Sequence, residues 1–115
     1  MSSYQYEPTI SLWDNEDHRK ITLKNRKTGE EFSFELQHTC VVGRKQEACD
    51  IQITTEDRYI SGRHVMFSLD GSTVYAEDLK TKNGTRLNGN PLTAKKQVRH
   101  GDMLRMGRSE FEIRM

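Results

Sequence analysis

An all-β sandwich or barrel is the fold class that three observations predict for this chain, the expected form being a sandwich of two twisted, mainly antiparallel sheets. Apolar and polar residues alternate with a period of two, and turn-forming residues interrupt the alternation at short intervals. No stretch sustains the period of about 3.6 residues that a long helix requires. Counting the alternating segments gives about 10–11 short strands.

In chain order, residues 1–18 contain Ser2, Ser3, Pro8 and the acidic Asp14, Glu16 and Asp17, so they read as a tail or linker. Residues 19–115 then form the single folded domain. Ile21 and Leu23 alternate with charged neighbours, Lys27-Thr28-Gly29 turns the chain, and Phe32, Phe34 and Leu36 alternate on the return, which predicts a hairpin facing a core. Val41-Val42 leads into Gly43-Arg44, and Ile51 and Ile53 follow. Val65, Phe67 and Leu69 alternate up to Asp70-Gly71, a dipeptide that between such runs marks a tight hairpin, and Val74 and Ala76 continue the return strand to Leu79. A second such dipeptide, Asn88-Gly89, lies between Leu87 and Leu92. Gly101-Asp102 precedes a strand from Met103 to Met106, Gly107-Arg108 turns again, and Phe111 with Ile113 closes the last strand.

Composition narrows the function classes. A hydrophobic content of 33% against 30% charged residues suits a thin sandwich core with polar outer faces. The formal net charge of +1 supplies no broad field for a polyanion, so nucleic-acid and membrane-surface binding find no support, and any anion site is local. The apolar stretches are far shorter than the roughly 20 residues of a membrane span, and the N-terminus lacks a signal-peptide core, so the expected location is cytoplasmic. Cys40 and Cys49 are therefore expected as free thiols. A zinc site drawing in His38 and His64 has no Cys-x-x-Cys or His-x-x-x-His spacing behind it, and neither metal nor cofactor is expected.

The chemistry sits in the connections between strands. Arg44, Ser61, Lys82 and Asn83 are the donor types that a phosphate of about −1.5 to −2 charges and three acceptor oxygens requires. Ser61, His64 and Asp78 can be assembled on paper into a catalytic triad, but there is no Gly-x-Ser-x-Gly elbow, no paired carboxylates and no phosphate-cradling Gly-x-x-x-x-Gly-Lys, and the chain is not expected to be an enzyme.

Val42-Gly43-Arg44, a Cys49-Asp50-Ile51 strand start, Ser61-Gly62-Arg63-His64, Asp78-Leu79-Lys80-Thr81-Lys82-Asn83-Gly84-Thr85, Leu87-Asn88-Gly89 and Gly101-Asp102-Met103-Leu104 follow one another. In this order, over roughly Ile21 to Ile113, they resemble the signature of forkhead-associated domains, β-sandwiches that recognise phosphothreonine with loops at one end. The resemblance implies that Arg44 and Ser61 contact the phosphate and that Asn83 holds the main chain of the bound peptide. Lys82 stands where the family often has a hydroxyl, offering an ammonium or its backbone N–H. Gly62 replaces the usual arginine or asparagine after the serine and keeps an N–H, while Arg63 follows one place later. Gly43, His64 and Gly84 become the scaffold of the site, the histidine ring pinning the loops. Arg58, Tyr59 and Arg108 fall where the family reads the third residue after the phosphothreonine; two arginines favour an acidic residue there and the tyrosine an apolar one. Thr9, in Glu7-Pro8-Thr9-Ile10, is a candidate phosphorylation switch, by likeness to bacterial family members whose tails fold back into their own sites.

The function implied is a phosphopeptide-binding module that recognises phosphothreonine in partner proteins within Ser/Thr kinase signalling. The domain is expected to be monomeric, with membership of a larger protein left open. The competing class is a phosphate-independent docking or dimerisation module on the same sandwich.

Overall fold

The computed structural model describes residues 18–115. Eleven strands run through them: β1 (Arg19–Asn25), β2 (Glu31–Leu36), β3 (Thr39–Gly43), β4 (Ile51–Gln52), β5 (Val65–Asp70), β6 (Thr73–Asp78), β7 (Thr85–Leu87), β8 (Asn90–Pro91), β9 (Lys96–Val98), β10 (Met103–Met106) and β11 (Ser109–Arg114). They form a six-stranded sheet in the order β2-β1-β11-β10-β7-β8 and a five-stranded sheet in the order β4-β3-β5-β6-β9. Every described pairing is antiparallel except β3 with β4, where Val42 lies opposite Ile51. The tail, and Thr9 within it, lie outside the described residues.

Alternation gives each sheet one apolar face. Ile21 and Leu23 of β1, Phe34 and Leu36 of β2, and Phe111 and Ile113 of β11 are buried, as are Val65 and Phe67 of β5 on the opposing sheet. Phe34 meets Phe67 across the layers with ring centroids 5.5 Å apart, and Phe32 meets Phe111 edge-on at 6.2 Å. Each fully buried side chain of this size contributes about 1.5–3 kcal/mol of transfer free energy.

The hairpins follow turn chemistry, with one refinement. Leu87 pairs with Asn90, leaving Asn88-Gly89 as the two-residue loop, and both take positive φ, 52° and 84°, as a type I′ turn demands. The β5–β6 hairpin is as tight as Asp70-Gly71 predicts, but Asp70 pairs with Thr73, so the loop is Gly71-Ser72 with Gly71 alone at positive φ, 65°. Two short elements carried no signal in the alternation: β9, which pairs with β6, and a 3-10 turn at Gln46–Ala48.

The antiparallel register brings one set of connections to one end of the sandwich. Asn25 lies opposite Phe111, Met106 opposite both Ser109 and Thr85, and Val65 opposite both Val42 and Asp78. The turn after β1, the segments 44–64 and 79–84, and the Gly107-Arg108 turn therefore share a pole. Among the described residues no helix is long and apolar enough to cross a membrane.

Candidate functional site

Gly43 ends β3 where the backbone of residues 61–63 crosses it. A Cβ there would stand 2.0 Å from the Gly62 carbonyl oxygen and 2.9 Å from Arg63 Cα, so only glycine admits the crossing. Backbone bonds stitch the crossing: Arg44 N–H to Ser61 O at 2.9 Å, Lys45 N–H to Gly62 O at 3.3 Å and His64 N–H to Val42 O at 2.9 Å. The exposed Arg44 side chain is oriented by its Nε donating to Ile60 O at 2.9 Å. Its two terminal nitrogens, the Ser61 hydroxyl and the Gly62 N–H make no hydrogen bond among the described residues. These donors come from two loops that the Gly43 crossing holds together.

His64 is fully buried beneath them. Its Nδ1 accepts the Ser61 N–H at 2.9 Å, which makes Nε2 the protonated nitrogen, and Nε2 donates to Gly84 O at 3.1 Å. The neutral ring thus joins the serine loop to the asparagine loop. Burial pushes its pKa below the ordinary value, against the opposing pull of the Gly84 carbonyl and the carboxylates of Asp78 and Asp57. Protonation would also aim a new N–H at the Ser61 N–H.

The loop that carries Lys82 and Asn83 is held from below by Asp78. Its Oδ1 accepts the hydroxyls of Thr81 at 2.7 Å and Thr85 at 2.5 Å, and its Oδ2 accepts the Thr81 N–H at 3.0 Å. Thr81 Oγ1 in turn accepts the Gly84 N–H at 2.9 Å. Burial raises the Asp78 carboxyl, yet the threonine hydroxyls and the Thr81 N–H together bring it below its usual value. Gly84 takes φ 77°, which lets the chain turn over Nε2 of His64. Asn83 is exposed, and its Nδ2 reaches toward Tyr59 O at 3.5 Å; Lys82 is exposed.

Asp57 organises the neighbouring surface, and sequence reading did not single it out. Its carboxylate accepts the Tyr59 N–H at 2.9 Å, the Arg108 N–H at 2.8 Å and the Ser109 hydroxyl at 2.7 Å, tying the β4–β5 connection to the β10–β11 turn. Burial raises this carboxyl, but the Ser109 hydroxyl and the two N–H donors outweigh it and the pKa falls below its ordinary value. Clamped this way, the Arg108 guanidinium stacks on the Tyr59 ring at 4.1 Å from its centroid. Arg44, Arg58, Tyr59 and Arg108 line one open groove of about 1360 Å³. The structure therefore gathers Arg44, Ser61, Gly62, Lys82, Asn83, Arg58, Tyr59 and Arg108 at one pole. Arg63 is exposed there and makes no hydrogen bond among the described residues. The clamp that Asp57 makes carried no local signal because Arg108 and Ser109 lie 51 and 52 residues away; its one local bond is the Asx turn to the Tyr59 N–H, two residues on.

The paper triad does not assemble. Ser61 meets His64 through its backbone N–H, and the Asp78 oxygens are spent on Thr81 and Thr85. Among the described residues no group of three or more His, Cys, Asp and Glu gathers as a metal site. Cys40 is buried and free, its pKa pushed up to about 12 chiefly by desolvation, and Cys49 is free and half-buried. What the pole presents is a set of neutral and cationic donors on loops fixed by internal carboxylates and a neutral histidine.

The FHA-domain family profile matches residues 40–107. FhaA of Mycobacterium tuberculosis, an FHA domain-containing protein, is 36% identical over 75 residues, which are 65% of this chain and 14% of FhaA. FhaB of the same organism is 36% identical over 74 residues, 64% of this chain and 46% of FhaB. The match thus spans well under two thirds of either relative. Among solved structures, an FHA domain from a study of phosphothreonine-dependent FHA domain interactions superposes with a TM-score of 0.72 at 28% identity, covering 84% of this chain and 97% of that one. The FhaA FHA domain in complex with the intracellular domain of Rv3910 gives 0.69 at 28% identity, covering 82% and 99%. The FHA domain of CT664 from Chlamydia trachomatis gives 0.72 at 25% identity, covering 84% and 98%.

Proposed function

The chain belongs to the FHA-domain family, whose members are binding modules, and from that premise we propose that residues 19–115 read phosphothreonine in partner proteins and recruit them in Ser/Thr kinase signalling. The observation that carries this reading is the convergence of unspent donors at one pole: the terminal nitrogens of Arg44, the Ser61 hydroxyl and the Gly62 N–H. A phosphate monoester offers three acceptor oxygens and nearly two negative charges, and such a donor set is its complement. Arg44 supplies the charge, Ser61 and Gly62 the neutral donors, and Lys82 a further cation at the rim. Asn83, whose amide reaches only a long contact to Tyr59 O, holds the peptide main chain instead. The stacked Tyr59 and Arg108, with Arg58 beside them, read the residues that follow the phosphothreonine.

His64 and Asp78 act by holding these donors in place before the ligand arrives. Preordering spares the peptide the cost of freezing loops on binding. A cytoplasmic location, where kinases mark such partners, belongs to the same proposal, as does a monomeric domain within a larger protein. The test is a degenerate threonine-peptide library in phosphothreonine, phosphoserine and unmodified forms. Selective retention of the phosphothreonine form supports the reading. Equal retention of all three forms, surviving Arg44→Ala, would assign the surface to phosphate-independent docking instead.

A further inference from the structure

Position 62 carries no side chain, yet the space beside it is filled. A Cβ placed on Gly62 would meet Lys45 Cδ at 3.1 Å, Cβ at 3.2 Å and Cγ at 3.3 Å, so the aliphatic stem of Lys45 lies directly across this glycine. The stem is placed by an anchored backbone. The Lys45 N–H donates to Gly62 O at 3.3 Å, and the Lys45 carbonyl accepts the Ala48 N–H at 3.0 Å and the Cys49 thiol at 2.9 Å. Consecutive residues in extended backbone project to opposite sides, and Lys45 is extended at φ −95°, ψ 116°. Arg44 accordingly reaches Ile60, the residue before Ser61, while Lys45 covers Gly62, the residue after it. Two cationic side chains from adjacent positions thus flank the serine.

The nearby acids do not claim this lysine. Asp50 turns back to accept the Val41 N–H at 2.8 Å, and among the described residues Lys45 enters no ion pair. We propose that Lys45 is a phosphate-binding residue, delivering over Gly62 the second cation that a side chain at position 62 would otherwise supply. The inference rests on the phosphothreonine reading and names one more residue of that site. Gly62 is then a permissive position: its missing side chain makes room for the lysine stem, and the Lys45 ammonium meets the phosphate from the side opposite Arg44.

The test uses the full chain and the phosphothreonine peptide selected from the library, with affinities measured by calorimetry at low and high salt. Lys45→Met keeps the stem and removes the charge. It is expected to weaken the phosphorylated peptide about three- to tenfold at low salt, with the gap closing as salt screens the pair. Thermal stability should stay within about 2 °C, since Lys45 is exposed. Lys45→Arg should retain affinity. In a ³¹P titration the bound phosphate dianion should become the monoanion at higher pH in Lys45→Met than in wild type, a shift that a merely structural role would not produce. Equal affinity of wild type and Lys45→Met, or a loss independent of salt, overturns the role of Lys45 while leaving the function intact. If wild type binds no phosphothreonine peptide, the function and the lysine role fall together.

Discussion

Replacing Gly43 with alanine tests whether the crossing of β3 and the 61–63 segment builds the site. The new Cβ would sit 2.0 Å from Gly62 O, 2.6 Å from Gly62 C and 2.9 Å from Arg63 Cα, all backbone atoms that cannot swing away. Carbon and carbonyl oxygen approach comfortably only at about 3.3–3.6 Å, so the two segments must part by more than about 1 Å. That opening takes the Arg44 N–H to Ser61 O bond, now 2.9 Å, beyond hydrogen-bonding reach, and loosens the bonds from Lys45 and His64 on either side. Overpacking costs about 1–3 kcal/mol and each lost bond about 0.5–1.5 kcal/mol, which together put the penalty near 3–6 kcal/mol. For a domain of this size the midpoint of thermal unfolding should fall by roughly 15 °C or more, followed by circular dichroism. Gly62→Ala is the internal control: the nearest atoms to its Cβ are Lys45 side-chain carbons at 3.1–3.3 Å rather than backbone at 2.0–2.9 Å, so its penalty should be well below that of Gly43→Ala. A Gly43→Ala protein that melts within about 5 °C of wild type would refute the argument that the close crossing demands glycine.

His64 gives a pH dependence with a definite sign. Its folded pKa lies below the unfolded value of about 6.5, so the unfolded chain binds the extra proton first and the ring contributes its full stability above about pH 6.5. Denaturant unfolding should show stability falling as pH drops below that value, with a slope of at most about 1.4 kcal/mol per pH unit from this residue. A His64→Phe variant should lose that component of the slope while the wild type keeps it. Asp78→Ala should release Thr81, Thr85 and the Gly84 turn, destabilising the fold by about 2–3 kcal/mol in chemical unfolding and speeding amide exchange at Gly84. Exchange at Gly84 as slow as in wild type would mean the carboxylate is not what holds the loop.

The alternation of Ile21 and Leu23 with Phe32, Phe34 and Leu36 made the first hairpin legible, because burial on one face imposes a period of two. Asn88-Gly89 revealed its turn for an equally local reason, since both residues accept positive φ. Gly71-Ser72 escaped by one position: Asp70 marks the turn but is used as the last paired residue. β9 was silent because Lys96 and Gln97 are exposed and only Val98 is buried, too little apolar pattern to read. At the site, the identity and order of Arg44, Ser61, His64 and Asn83 were readable as motifs. Their mutual placement was not, because it depends on Asp57 binding a turn some fifty residues away and on a backbone crossing at Gly43. Local sequence carries turn geometry and face, whereas contacts between distant loops are fixed only when the sheets register.

The central claim is that the donors around Arg44 form a phosphothreonine site, and titration of one threonine peptide in phosphothreonine, phosphoserine and unmodified forms, against wild type and Arg44→Ala, tests it most directly. Wild type is expected to bind only the phosphothreonine form. The substitution removes a charge-assisted contact of about 1.5–3 kcal/mol and should weaken that binding tenfold or more. Binding that ignores the phosphate, or that survives Arg44→Ala undiminished, would contradict the account.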